Sequence, residues 1–174
     1  MSADFGHRIT LDRLRDGDRI DLAADEEERA AVARRLGLRS LDRLEAHVCL
    51  SRDSDRVRAK GRLRASIEQS CVASGEPVAE HVDEPFEIVF VPEPEADQGD
   101  EEVELDSEDC DVVFYDGAAI DLGTAIADTL ALSIDAYPRS AGAEAVLKEA
   151  GVLSEEQAGP FAALAKLRKG SDGS

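Results

Sequence analysis

Two adjacent runs of strict alternation constrain this chain more than any other feature. From Leu41 to Leu50 the even positions Leu44, Ala46, Val48 and Leu50 are apolar, while Arg43, Glu45, His47 and Cys49 fall between them. After the turn-forming Ser51-Arg52-Asp53-Ser54-Asp55 the pattern resumes as Arg56-Val57-Arg58-Ala59-Lys60-Gly61-Arg62-Leu63-Arg64. A period of two places every apolar residue on one face of a strand, and two such runs around a short turn predict an antiparallel hairpin.

Further extended segments are expected at 7 to 12, 78 to 91 and 110 to 115. In the second of these Phe86, Ile88 and Phe90 share a face, and Pro85 marks a bulge or an edge position. Leu22 to Leu38 reads as a helix. Asp25 and Glu28 have capping-box spacing, which sets its ordered part near 25 to 37, with Gly37 as the stop and Ala30, Val32, Ala33 and Leu36 as the apolar stripe. Asp121 is the expected N-cap of a helix from 121 to 134 that Tyr137-Pro138 ends.

These elements predict an α+β fold: an antiparallel, curved or barrel-like sheet of about five strands, covered by helices. Residues 1–138, including an acidic loop at 92–111, are expected to form one domain. Residues 139–174 are expected to form a helical C-terminal extension with a frayed end, with capping signals at Ser154/Gln157 and a helix start at Pro160. Leu44, Val48, Val57, Leu63, Ile67, Phe86, Ile88, Phe90, Ile126 and Leu130 are the expected core.

Charge is distributed very unevenly. The 174 residues carry 39 Asp and Glu against 20 Lys and Arg, a formal net charge of −19. Residues 76 to 138 alone hold 20 acidic side chains and neither Lys nor Arg. Such a total opposes indiscriminate binding to nucleic acid or to an anionic bilayer. It leaves room for a local contact. Arg56, Arg58, Lys60, Arg62 and Arg64 would stand on one face of a strand, ~6.7 Å between successive cations. That row can follow a phosphate backbone, or it can pair with acidic side chains on the next strand, for which Glu80, Glu84 and Glu87 are the candidates. The strand carries no aromatic residue for base stacking. The acidic segment offers Glu101, Glu102, Glu104, Asp106, Glu108 and Asp109 as a docking surface for a basic protein, or as a solvated loop. It lacks the spacing of a calcium loop.

No catalytic constellation emerges. Cys49, Cys71 and Cys110 are too few and too scattered for a disulfide framework. His7, His47 and His81 are widely separated and read as surface or sheet residues. Cys71-Val72-Ala73-Ser74 has the spacing of a metal knuckle with Ser in place of the second thiolate, so no metal and no cofactor are expected. Nucleophile-elbow and phosphate-loop patterns are absent. The expectation is a non-enzymatic, cytoplasmic, reduced protein without a signal peptide, membrane segment or small-molecule substrate.

Several segments, taken in order, resemble the YceD family, the large ribosomal RNA subunit accumulation proteins of bacteria and chloroplasts. They are Cys71-Val72-Ala73-Ser74-Gly75-Glu76-Pro77-Val78, Phe86-Glu87-Ile88-Val89-Phe90, an acidic loop, Ile120-Asp121-Leu122-Gly123, Ile126 to Leu132 and Tyr137-Pro138-Arg139. The ending Pro160 to Leu167 is similar to that of the alphaproteobacterial branch. Cys71, Gly75, Pro77, Asp121, Leu122, Leu130 and Pro138 carry the resemblance. Ser74 stands where many members have a second cysteine, and Arg139-Ser140 where some have more. The resemblance implies a factor supporting accumulation, processing or stability of the large-subunit (23S) ribosomal RNA. Its partner would be ribosomal RNA or a basic ribosomal or processing protein. The alternative is an acidic interaction module that docks a basic partner without touching RNA.

Overall fold

A computed structural model of the chain describes residues 5–93 and 111–152. Its contacts divide into two units. The larger comprises the residues up to Gln69 with Ala79–Ala136, and the smaller comprises Ser70–Val78 with the described residues from Tyr137 onward.

In the larger unit the alternating segments become long strands. In chain order the elements are β1 (Arg8–Thr10), β2 (Arg19–Ala23), α1 (Glu26–Leu36), β3 (Ser40–Asp53), β4 (Arg56–Ser70), β5 (Pro77–Pro92), β6 (Asp111–Tyr115), β7 (Ala119–Asp121) and α2 (Leu122–Ser133). A five-stranded sheet runs β2-β3-β4-β5-β6, and β1 pairs separately with β7. The fold is α+β with a mostly antiparallel sheet that is not closed into a barrel. The β3–β4 hairpin turns at Ser54-Asp55, with Ser54 in the left-handed region at φ 59°. Its register sets Val48 opposite Gly61 and Arg52 opposite Val57. A bulge between Leu41 and Arg43 resets the parity, so that Leu41 and Leu44 both point inward.

Three expectations need correction. Leu22 and Ala23 end β2 rather than start a helix, because Ile20 and Leu22 alternate with exposed neighbours and pair with β3 ahead of the Asp25 cap. The strand expected at 7 to 12 is only Arg8–Thr10, and it joins β7 instead of the main sheet. Strand β6 runs parallel to β5, with Ile88 opposite Asp111 and Pro92 opposite Tyr115.

Helix α1 is held at both ends as its sequence demands. Asp25 accepts from the Glu28 N–H and Glu28 accepts from the Asp25 N–H, each at 2.9 Å. Gly37, at φ 68°, closes the other end. The helix buries Ala31, Val32 and Ala33, with Leu36 half-buried and Ala30 exposed. Helix α2 starts at Asp121, which accepts from the Thr124 N–H at 3.1 Å. Leu122, Ile126 and Leu130 of α2 lie fully inside one core with Leu44, Val48, Val57, Leu63, Ile67, Phe86, Ile88 and Phe90. All ten expected core residues are therefore buried.

Gly61 interrupts the apolar side of β4 for a steric reason. A Cβ there would overlap the His47 carbonyl of β3 and press on the Phe86 ring at 3.1 Å. Because the obstacle is backbone, it cannot move aside cheaply. Gly61→Ala is therefore expected to destabilise the protein by about 1–3 kcal/mol, the usual range for overpacking. Urea denaturation measures this, and an unchanged midpoint would contradict the packing.

Candidate nucleic-acid interface

Burial of the odd residues of β4 leaves the even ones no alternative. Val57, Ala59, Leu63, Ala65 and Ile67 are buried, so Arg58, Lys60, Arg62 and Arg64 emerge together on the opposite face. Arg56 begins the same row at the hairpin end, in register with Asp53.

Strand β5 keeps the same parity from Val82 to Ile88, beyond which Val89 and Val91 are buried too, and this decides which acidic residues the cations meet. Val82, Phe86, Ile88 and Phe90 face inward, so Asp83 and Glu87 face outward beside β4. Arg58 donates to Glu87, and Lys60 Nζ lies 3.4 Å from the other oxygen of that carboxylate. Arg62 donates to Asp83, whose same oxygen lies 3.5 Å from Arg64 Nε. Pairing Arg58 with Glu87 and Arg62 with Asp83 shows that β5 runs antiparallel to β4. Four cations thus share two carboxylates, and the six side chains sum to a formal +2. Of the three carboxylates expected to pair, Glu87 does. Glu80 lies at an even position and binds Gln69 and the Asp135 N–H instead, while Glu84 is likewise even and off this face.

The face extends onto β3 and β2. Cys49 and Ser51 stand opposite Lys60 and Arg58, and Glu45 and His47 opposite Arg64 and Arg62. Beyond them Arg19 stands opposite Cys49, and the Asp21 carboxylate lies 2.6 Å from His47 Nδ1. Glu45 is held by Arg43 at 2.6 Å, which lowers the Glu45 carboxyl and raises the Arg43 guanidinium. Arg58 and Lys60 therefore have neutral neighbours on their β3 side, whereas Arg56 stands opposite Asp53 at the hairpin end and Arg64 opposite Glu45 at the other.

In the smaller unit the residues of the Cys71 motif form a hydrogen-bonded loop. Cys71 is buried, and its Sγ accepts from the Ser74 N–H at 3.4 Å and the Ser140 N–H at 3.3 Å. These two contacts, with Ser140 the stronger, bring the thiol down to about 6. Ser140 Oγ donates to Glu76 at 2.7 Å, Ser74 Oγ lies 3.2 Å from Ser140 Oγ, and the Val72 N–H donates to the Pro138 carbonyl at 2.9 Å. Gly75 takes φ 75° in this loop, and Pro77 opens β5. Asp121, Leu122 and Leu130 serve the start and core face of α2. Among the described residues, no group of three or more His, Cys, Asp or Glu gathers as metal ligands. Glu101, Glu102, Glu104, Asp106, Glu108 and Asp109 lie outside the described residues, as does the segment after Val152. Among the described residues no helix is long and apolar enough to cross a membrane.

Residues 59–168, more than half of the chain, match the family described as large ribosomal RNA subunit accumulation protein YceD. The chain belongs to the YceD family. The YceD match opens inside β4 and so takes in Lys60, Arg62 and Arg64, Asp83 and Glu87 of β5, the Cys71 loop and α2. The YceD name ties this family to accumulation of the large ribosomal RNA subunit. Comparison with curated proteins and with solved structures returned no match.

Asp83 and Glu87 both sit below the usual carboxylate range. The leading cause is the hydrogen bond from Arg62 in the first case and from Arg58 in the second, with the charges of Arg64 and Lys60 adding to it. The unfolded chain, lacking these partners, binds protons more tightly. The stabilisation is therefore complete above the ordinary carboxylate range and is lost as pH falls through the lowered folded values. Thermal midpoints followed from about pH 7 to pH 3 should fall less steeply in the Asp83→Asn/Glu87→Gln variant than in the parent. Parallel curves would contradict the pairing.

Proposed function

We propose that this YceD protein is a non-enzymatic, cytoplasmic ribosome-biogenesis factor that supports accumulation, processing or stability of the 23S ribosomal RNA by contacting its phosphate backbone through the outer face of β4. The carrying observation is the row Arg58, Lys60, Arg62 and Arg64, evenly spaced on one exposed strand face within a chain of net charge −19. The excess negative charge lies within residues 76 to 138, which repels phosphate there, and the β4 row is the longest alternating run of cations outside that segment. With no aromatic residue on the strand, recognition is of backbone and shape rather than of stacked bases. A docking role for the acidic segment around Glu101 to Asp109, with a basic ribosomal or processing protein as partner, is a second reading supported by the 20 acidic residues between 76 and 138.

Four phosphate contacts correspond to a log–log salt slope of about −3 on single-stranded RNA. Changing Arg58, Lys60 and Arg62 together to Ser should bring that slope to about −1 and abolish binding at physiological salt. Filter binding over a salt series measures both, and unchanged affinity in the triple variant would remove β4 from the contact. Deleting residues 95–107 separates the two readings, since it should leave RNA binding intact and abolish capture of a basic partner.

A further inference from the structure

Asp83 and Glu87 are placed as more than incidental surface partners. They are four residues apart on β5, a separation of ~13 Å that spans two cation intervals of β4. Each carboxylate consequently straddles two successive cations: Glu87 lies between Arg58 and Lys60, and Asp83 between Arg62 and Arg64. A singly charged oxyanion shared by two neighbouring cations is the arrangement a phosphodiester would adopt on the same row.

We propose that Asp83 and Glu87 act as built-in phosphate mimics, competing with RNA for the β4 cations and so setting a threshold that only a strand of linked phosphates exceeds. The inference rests on the RNA-contact reading above and concerns its regulation. Both carboxylates are about half to two-thirds shielded at most, with side-chain exposures of 50% and 32%, so they can swing away from the cations without stranding a charge in the interior. Exposed ion pairs of this kind are weak, and their exchange for external anions is inexpensive. An isolated anion displaces one carboxylate and gains nothing further. A polynucleotide displaces both in succession, because its second phosphate is already tethered beside the second site. The mimics thereby reject small phosphates and weak polyanions while passing a continuous backbone.

The test uses the full chain with a 12-nucleotide single-stranded RNA, inorganic phosphate and a polyglutamate peptide as probes. Asp83→Asn/Glu87→Gln keeps the size and one acceptor oxygen of each side chain, turns the other oxygen into an amide NH2 and removes the charge. It should tighten RNA binding on the order of tenfold, from about threefold per charge, and steepen the salt dependence. Glu87→Gln alone, which affects only the Arg58 and Lys60 end, should give part of that gain and guards against a folding defect in the double variant. Unchanged or weaker RNA binding in both variants, with parent binding still abolished by the Arg58/Lys60/Arg62 triple change, would overturn the mimicry and leave the RNA contact standing. Parent binding that is insensitive to the triple change would overturn both. A gain toward polyglutamate without a gain toward RNA would also overturn the proposal, and would assign the row to an acidic protein.

Discussion

The alternation of β4 is the constraint on which the rest depends. Val57, Ala59, Leu63, Ala65 and Ile67 supply the middle of the core, and a strand has only two faces. A slip of one residue in the β3–β4 register would send Arg58, Lys60, Arg62 and Arg64 into that core, and burying unpaired charge is far costlier than any alternative the chain has. The hydrophobic effect thus fixes the position of the cations without acting on them. Gly61 belongs to the same constraint, since it lets β3 and Phe86 close over the one inward position of this run where a side chain would not fit.

The neighbouring strands turn this row into a graded electrostatic surface. On β5 the parity set by Phe86 and Ile88 brings the carboxylates of Asp83 and Glu87 to four cations. On β3 the neutral Ser51 and Cys49 flank Arg58 and Lys60, while Asp53 flanks Arg56 and His47 and Glu45 flank Arg62 and Arg64. The result is a modest local excess of positive charge in a strongly negative chain. The proposed phosphate-backbone contact rests on this local excess, in a chain whose family is named for accumulation of the large ribosomal RNA subunit.

The parts of this arrangement that rest on local periodicity were legible in the sequence. The hairpin, both helix caps and the ten core residues follow from patterns within a few residues of one another. The cation face follows as well, and of the three carboxylates expected on the next strand Glu87 pairs with it. The parity of Phe86 and Ile88 points to Asp83 as the second partner, in place of Glu80 and Glu84. Strand β2 is hidden because it is short and abuts the Asp25 capping box, so the helix reading takes in its last two residues, Leu22 and Ala23. The pairing of β1 with β7 and the parallel course of β6 arise from contacts between distant segments, which no local pattern encodes. In the Cys71 loop, the spacing revealed a knuckle lacking a ligand. It did not reveal that Ser74 and Ser140 donate backbone N–H groups to the sulfur.

The central claim is that ribosomal RNA meets the outer face of β4, and ultraviolet crosslinking in cells followed by mass spectrometry of the RNA-bound peptides tests it most directly. Adducts are predicted on peptides of β3, β4 and β5 that bear this face, with large-subunit ribosomal RNA as the attached nucleic acid. Adducts confined to other parts of the chain, or RNA absent while proteins crosslink through the acidic segment, would contradict it.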